Sequence, residues 1–262
     1  MFGVFGSKPV ISDLDQQFQH DTYAWLLSHF GGPHFFKGKT LVLPTRDYFP
    51  AKVDSLDGAV SETFLTVKKY AGMSDWECVL QRQDEDVEAR VAPTVVVKNA
   101  PTNPLGTFSA TNKTNAVITY NPKLAKEPLH LVATFAHELA HYLTATAPEP
   151  PPGGWDNWEF ATDIAATFLG FGVFMANSAF SFRQYTDLNS QGWRWSRSGY
   201  LTEAEHVYAL SLFLHLQKRS LTEVKPYLKS NLWSLIKKAH KQAEQSGIID
   251  DLFKVQYKSA NS

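Results

Sequence analysis

Hydrophobic residues recur three to four positions apart through much of the chain, which is the spacing of one face of an α-helix. The first such segment begins at Ser12, a residue type favoured just before a helix, and stops at Gly31 and Gly32. Segments with this spacing predict helices over 12–30, 59–71, 126–146, 157–176, 202–219 and 221–246. Because four of these ranges lie in the second half of the chain, we expect that half to be helical.

Short apolar runs in the first half of the chain predict β-strands. The runs at 39–44, 76–81 and 93–98 are bounded by turn-forming residues, and the last of them is rich in β-branched valine. Residues 107–110 and 116–120 flank a polar, asparagine-containing turn, which predicts a hairpin.

The order of these elements predicts an α+β fold. Strands and helices mix in residues 1–125, whereas residues 126–262 are helical. A groove between two such halves is a common place for an active site. The pattern is compatible with one continuous domain and also with two subdomains.

The stretch 164–182 contains no charged residue and is long enough to raise the question of a membrane span. Glu159 and Asp163 lie at its start, and Asn177 and Ser178 interrupt its far end. We interpret it as a helix buried in the core of a soluble protein, and we expect no membrane partner.

Composition and charge exclude other kinds of site. Lys and Arg number 25 against 26 Asp and Glu, so the net charge is −1, whereas binding to nucleic-acid phosphates needs a basic surplus or stripe. We therefore expect no nucleic acid partner, and we interpret Trp193 and Trp195, which alternate with arginine, as a packing or rim feature.

Cys78 is the only cysteine, which excludes an internal disulfide and a cysteine metal cluster. The N-terminus lacks a basic region before a long apolar run, so we expect a cytoplasmic protein.

The candidate chemistry lies in the predicted helix 126–146, where residues 137–141 read His-Glu-Leu-Ala-His. This HExxH pattern is a known zinc-peptidase signature. Histidines four positions apart, such as His137 and His141, share one face of a helix and can bind one metal ion at about 2.0–2.1 Å. Glu138 then lies where its carboxylate can reach a water molecule beside the metal. The alternative is a pair of surface histidines next to a solvated glutamate.

A catalytic zinc site takes three protein ligands and keeps one position open. Glu159 can be the third ligand, because the proline-rich connector 148–154 allows the second helix to fold back on the first. Asp163 shares a helix face with Glu159 and can accept the outer N–H of a ligand histidine. The alternative is that both acidic residues cap the apolar helix that follows.

The HExxH motif followed by Glu159 and Asp163 resembles the gluzincin branch of the zincin metallopeptidases, with this chain as a divergent member. The resemblance covers roughly residues 95–180. It implies a zincin-like fold, a Zn²⁺ cofactor, a glutamate as third ligand and an aspartate that orients one ligand histidine. It also implies a sheet whose edge strand lies beside the catalytic helix and pairs with the substrate backbone, and 116–120 is the matching segment.

The predicted mechanism assigns Glu138 as the general base, which takes a proton from water and passes it to the leaving amine. A further donor is needed for the oxyanion. Tyr200 and His206 are the candidates, since thermolysin-like gluzincins use a tyrosine and a histidine downstream of the glutamate ligand, although the local pattern here differs. We select His206 as the catalytic donor. The alternative for each is a surface or core-edge residue.

These residues predict a zinc-dependent metallopeptidase that acts on a peptide or protein substrate. One alternative is a zincin-like metal-binding sensor or interaction domain without peptidase activity. Another is a structural protein that has kept the fold but lost the chemistry. Glu138 favours the enzyme over the structural protein, because metal binding alone does not require this carboxylate.

Overall fold

Helices make up most of the structure. The computed structural model describes residues 8–50, 54–82, 95–97, 116–187 and 200–258. The α-helices in these ranges are α1 (Asp13–Leu26), α2 (Gly32–Phe36), α3 (Leu56–Ala71), α4 (Pro128–Thr144), α5 (Trp158–Ala166), α6 (Gly172–Asp187), α7 (Glu203–Leu216), α8 (Ser230–Gln245) and α9 (Ile248–Phe253). The prediction of an α+β fold with a helical second half is confirmed.

Helix ends coincide with capping residues that the sequence contains. The Ser12 hydroxyl accepts a hydrogen bond from the Asp15 N–H at the start of α1. Thr202 and Glu205 form a reciprocal capping box at the start of α7. Gly72 ends α3 in the left-handed conformation, with a φ of 80°. The predicted helix starts near residues 12 and 202 are therefore confirmed.

The strands of the described chain form one three-stranded sheet. They are β1 (Cys78–Arg82), β2 (Val95–Val97) and β3 (Ala116–Tyr120). Their order is β1-β3-β2, with β3 parallel to β1 and antiparallel to β2. Strands form at the predicted places 76–81, 93–98 and 116–120. The bounds of β3 are those predicted, and those of β1 and β2 are shifted by one or two residues.

The place of β3 in the sheet corrects one prediction. An edge strand was expected at 116–120, but β3 lies between β1 and β2, so that expectation is wrong. Strand order depends on pairing between distant segments, which the alternation within one strand does not determine. Ile118 and Tyr120 are buried, and the ring of Tyr120 packs edge-on against Phe135 of α4, with centroids 6.2 Å apart. The hairpin partner predicted at 107–110 lies outside the described residues.

The prediction of a strand over 39–44 is wrong, because this segment forms no strand. Leu41 and Val42 are fully buried, which accounts for the apolar run. The N–H of Val42 donates to the carbonyl of Gly170 at 2.9 Å, so the segment finds its partner in a helix distortion and not in a sheet. Apolar character alone does not separate a strand from a buried irregular segment.

The long apolar helix after Glu159 is interrupted. A single helix is predicted over 157–176, whereas the structure has α5, a π-helical turn at Thr167–Phe171 and then α6. Gly170 has a φ of 105° within this turn. A Cβ atom at Gly170 would lie 2.1 Å from the carbonyl oxygen of Thr40. Glycine is therefore required where the irregular segment crosses the helix.

The last predicted helix begins later than the pattern indicates. The prediction spans 221–246, but α8 begins nine residues later, after two short 3₁₀ turns. Pro226 lies within the predicted range and cannot donate the N–H that a continuing helix needs. Asn177 of α6 supplies partners at this break, since its amide donates to the carbonyl of Tyr227 at 2.7 Å and accepts from the N–H of Lys229 at 3.0 Å.

One helical stretch of the described chain, Trp155–Ala179, is long and apolar enough to cross a membrane by length and composition. Nearly all of its most apolar part is buried inside the protein. Tyr23 of α1 and Phe35 of α2 pack against Phe168 in this stretch, with ring centroids 6.2 and 4.3 Å apart. Such packing agrees with a helix in the core.

We predict that Gly170→Ala lowers the free energy of unfolding by about 3 kcal/mol or more, because the new methyl group meets the Thr40 carbonyl and the positive φ is strained. Gly247→Ala is the matched control, since Gly247 has a φ of 75° but no atom within 4 Å of the added Cβ. The control should lose only about 1 kcal/mol. Urea denaturation measures both losses, and equal values would contradict the crossing at Thr40.

Candidate metal centre

The HExxH residues lie in the middle of α4, a helix that is buried on almost every side. Pro128 occupies its first turn, where a missing N–H is tolerated, and Phe135 is fully buried. His137, Glu138 and His141 are buried as well. Buried polar groups need partners inside the protein, so the face of α4 that bears these residues requires a polar neighbour.

Helix α5 supplies that polar neighbour. The connector after α4 turns through Gly153 and Gly154, which have φ values of 79° and 82°, and α5 packs against α4. Glu159, Thr162 and Asp163 are spaced three and four positions apart and so share one face of α5. This face contacts the histidines of α4. The fold-back expected from the proline-rich connector is therefore present.

The three predicted ligands come together. Oε2 of Glu159 lies 3.2 Å from Nε2 of His141 and 3.4 Å from Nε2 of His137. One ligand atom from each residue lies within 4.8 Å of the other two. In a tetrahedral site with bonds of about 2.0–2.1 Å, neighbouring ligand atoms are roughly 3.3–3.4 Å apart. The spacing and the donor types of this group fit a metal ion.

The outer nitrogen of each histidine is held by a residue of α5. Oδ1 of Asp163 lies 2.9 Å from Nδ1 of His137, and Oγ1 of Thr162 lies 3.1 Å from Nδ1 of His141. A carboxylate only accepts hydrogen bonds, so Nδ1 of His137 is the donor. Both rings therefore present Nε2 to Glu159 while Nδ1 is engaged on the opposite side. The predicted contact between Asp163 and a ligand histidine is present.

The second oxygen of Asp163 also has partners. The side chain is fully buried, at 0% exposure. Its Oδ2 accepts a hydrogen bond from the N–H of Leu201 at 2.9 Å and lies 3.7 Å from Nε2 of His206. Leu201 lies just before α7, and His206 lies in the first turn of α7. Asp163 thus connects the start of α7 with helix α4.

Each inward atom of the ligand group can offer an electron pair to a metal ion, and without a metal ion a histidine proton fills the space towards Glu159 through a hydrogen bond. Burial lowers the pKa of His137, but hydrogen bonds to Asp163 and Glu159 outweigh it and raise this pKa to about 10. Burial raises the pKa of Glu159, yet hydrogen bonds from both histidines hold it well below its usual range. For His141 burial is the larger effect and lowers the pKa.

Glu138 and Tyr200 lie near the ligand group. The Glu138 carboxylate acts electrostatically on both His137 and Tyr200. The Tyr200 ring centroid is 5.6 Å from that of His137. Burial, followed by the carboxylates around it, raises the pKa of Tyr200 well above its usual range. Its phenol therefore keeps its proton and can act as a hydrogen-bond donor.

His206 lies beside the other oxygen of Asp163 and is only 1% exposed. Its Nδ1 has no hydrogen-bond partner among the described residues. The sequence analysis selected His206 as the oxyanion donor, but this position does not favour that role, because its Nε2 faces Oδ2 of Asp163, whereas the other oxygen, Oδ1, is the one that contacts His137. Tyr200, whose ring lies next to His137, is the better placed of the two candidates.

Two further residues at the site were not predicted. Thr162 holds His141, and its position three residues after Glu159 would have indicated this role. The ring of Trp158 packs edge-on against His141 with centroids 4.8 Å apart, while its indole N–H donates to Thr144 at 2.8 Å. The sequence does not indicate the contact between Trp158 and His141, because this contact depends on how α4 and α5 pack.

A second histidine–histidine–glutamate group lies between α7 and α8. Ligand atoms of His215, His240 and Glu244 also fall within 4.8 Å of one another. However, the two imidazole rings are stacked, with centroids 3.6 Å apart and planes inclined by 9°. Imidazole lone pairs lie in the ring plane, so parallel rings cannot share one ion unless a ring turns. Ser211 lies 3.1 Å from Nδ1 of His240 and helps to hold the stack.

Comparison of the chain with models of protein families, with curated proteins and with solved structures finds no match in any of the three.

We predict that the stacked pair makes the protein less stable in mild acid. Burial, followed by the charge of His215, lowers the pKa of His240 to about 4, against about 6.5 in an unfolded chain. The unfolded chain therefore binds more protons between these values, and stability falls as the pH drops from about 6.5 towards 4. Between pH 7.5 and pH 5, the free energy of unfolding of His240→Gln should fall by about 1 kcal/mol less than that of the parent, after allowance for solvent screening. Urea denaturation at both pH values measures the free energy of unfolding of each protein. An equal loss in the parent and in His240→Gln would refute the prediction.

Proposed function

We propose that this chain is a zinc-dependent metallopeptidase with a zincin-like arrangement of the gluzincin type. The observation that supports this most strongly is the convergence of two imidazoles and one carboxylate, from two helices, at the spacing that a tetrahedral ion needs. The outer contacts of Asp163 and Thr162 strengthen it, because they turn both Nε2 atoms inward.

The donor set favours zinc among common metal ions. His137, His141 and Glu159 supply two nitrogens and one oxygen, which is the three-ligand set of many catalytic zinc sites. Calcium and magnesium prefer oxygen ligands only. A bound zinc ion supplies a Lewis acid that polarises a carbonyl group and acidifies water.

Glu138 is the general base in this proposal. It follows His137 directly, is buried, and acts electrostatically on the residues that line the site. Its carboxylate takes the proton of the attacking water at one oxygen and later gives it to the leaving amine. Metal binding alone does not require this carboxylate.

Tyr200 is the proposed donor to the oxyanion. Its phenol stays protonated because burial and three nearby carboxylates raise its pKa. A neutral hydroxyl held beside His137 can donate to a negative oxygen as it forms on the substrate carbonyl. A peptide or protein is the corresponding substrate class.

We predict that purified full-length protein, stripped of metal, takes up about one equivalent of zinc. Glu159→Ala and His141→Ala should each weaken zinc binding at least ~100-fold, because each removes one of three protein ligands. His240→Gln is the control, since it disrupts the other histidine–histidine–glutamate group and should leave the stoichiometry unchanged. Metal analysis and competition with a chromophoric chelator measure both quantities. Less than about a tenth of an equivalent in the parent, even after reconstitution, would reject the site.

We predict that Glu138→Gln lowers kcat/KM for peptide cleavage at least ~100-fold, because an amide cannot accept the proton from water. Zinc content should stay at the parent value, since Glu138 is not a proposed ligand. Digestion of a peptide library by parent and variant, with mass-spectrometric readout, tests this. If the parent holds zinc and cleaves nothing in the library, the alternative of a zinc-binding sensor replaces the peptidase.

A further inference from the structure

A buried polar cluster lies behind the ligand group and has no part in the reaction described above. It consists of Asp163, the N–H of Leu201 and the imidazole of His206. The Asp163 and His206 side chains are 0% and 1% exposed. A carboxylate removed from water in this way costs several kcal/mol unless nearby donors stabilise its charge.

The two oxygens of Asp163 have different partners. Oδ1 contacts His137 at 2.9 Å, so it faces the ligand group. Oδ2 contacts Leu201 at 2.9 Å and His206 at 3.7 Å, so it faces the start of α7. The orientation of the carboxylate, and with it the direction of the His137 ring, therefore depends on groups from two separate helices.

The start of α7 is built to hold His206 in place. Thr202 and Glu205 form the reciprocal capping box there, and the N–H of His206 donates to the carbonyl of Thr202 at 2.9 Å. The carbonyl of Glu205 accepts a hydrogen bond from the side chain of Gln19 at 2.9 Å. These contacts fix the backbone around His206 and leave its ring against Asp163.

We propose that His206 is a positioning residue that acts through Asp163 on the ligand His137. The inference rests on the proposed zinc site and replaces the role of oxyanion donor for this residue. The Nε2 atom of His206 lies close enough to Oδ2 for an attractive electrostatic contact, although 3.7 Å is longer than a hydrogen bond. By favouring one orientation of Asp163, His206 keeps Nε2 of His137 directed at the metal.

Zinc affinity is the primary measurement, because it reports the ligand geometry without any need for cleavage. Removing a direct outer partner of a metal ligand commonly costs 10–100-fold in affinity. His206 is one contact further away, so we expect His206→Leu to weaken zinc binding about tenfold. His206→Gln keeps a side-chain N–H and should stay within about threefold of the parent. Competition with a chromophoric chelator in the full-length protein gives each dissociation constant.

A double-mutant cycle separates positioning from general loss of structure. If His206 acts through Asp163, then adding His206→Leu to Asp163→Asn should weaken zinc binding little further. A purely structural role predicts the opposite, since the full loss would recur in the Asp163→Asn background. Equal losses for the Leu and Gln variants would also overturn the proposal.

Folding of each variant is checked by its thermal midpoint without metal. If His206→Leu does not fold, His206→Met replaces it in the same cycle, because methionine keeps the volume without an N–H. Failure of the parent to bind zinc would overturn the proposed function and this inference together. Tight zinc binding by the parent and by every His206 variant would overturn this inference alone.

Discussion

The centre of this molecule depends on three groups that can each offer an electron pair, with Oε2 of Glu159 lying 3.2 and 3.4 Å from the Nε2 atoms of His141 and His137. Nitrogen and oxygen lone pairs repel at that distance unless a proton or a metal ion lies between them. The fold nevertheless holds His137, His141 and Glu159 there, through helix α4 and the connector that brings α5 back against it. A group that the fold holds in this way is able to bind a metal ion.

The hydrogen bonds outside the ligand group determine which atoms face inward. Asp163 and Thr162 engage the Nδ1 atoms, so both rings turn their Nε2 atoms towards Glu159. Asp163 is itself stabilised by the Leu201 N–H. The geometry of the ligands is therefore determined by α5 and α7 as well as by α4, which the HExxH pattern alone would not indicate.

The sequence predicts those features of the site that depend only on the spacing of residues within one helix. His137 and His141 are four residues apart, as are Glu159 and Asp163, so each pair shares a helix face as soon as the helices form. The strand at 116–120 was predicted, but its central place in the sheet was not, because strand order follows from pairing between distant segments. The contact of His206 with Asp163 was missed for the same reason, since tertiary packing of α7 and not local spacing creates it.

The three side chains of the ligand group differ in their exposure to solvent. The side chains of His137 and His141 are 2% and 5% exposed, whereas that of Glu159 is 37% exposed. The opening to solvent therefore lies on the Glu159 side, at the start of α5, where Trp155 and Trp158 pack with ring centroids 5.2 Å apart. The buried side is filled by helices and by the Asp163 contacts. A site built into the core in this way keeps its ligand geometry through packing.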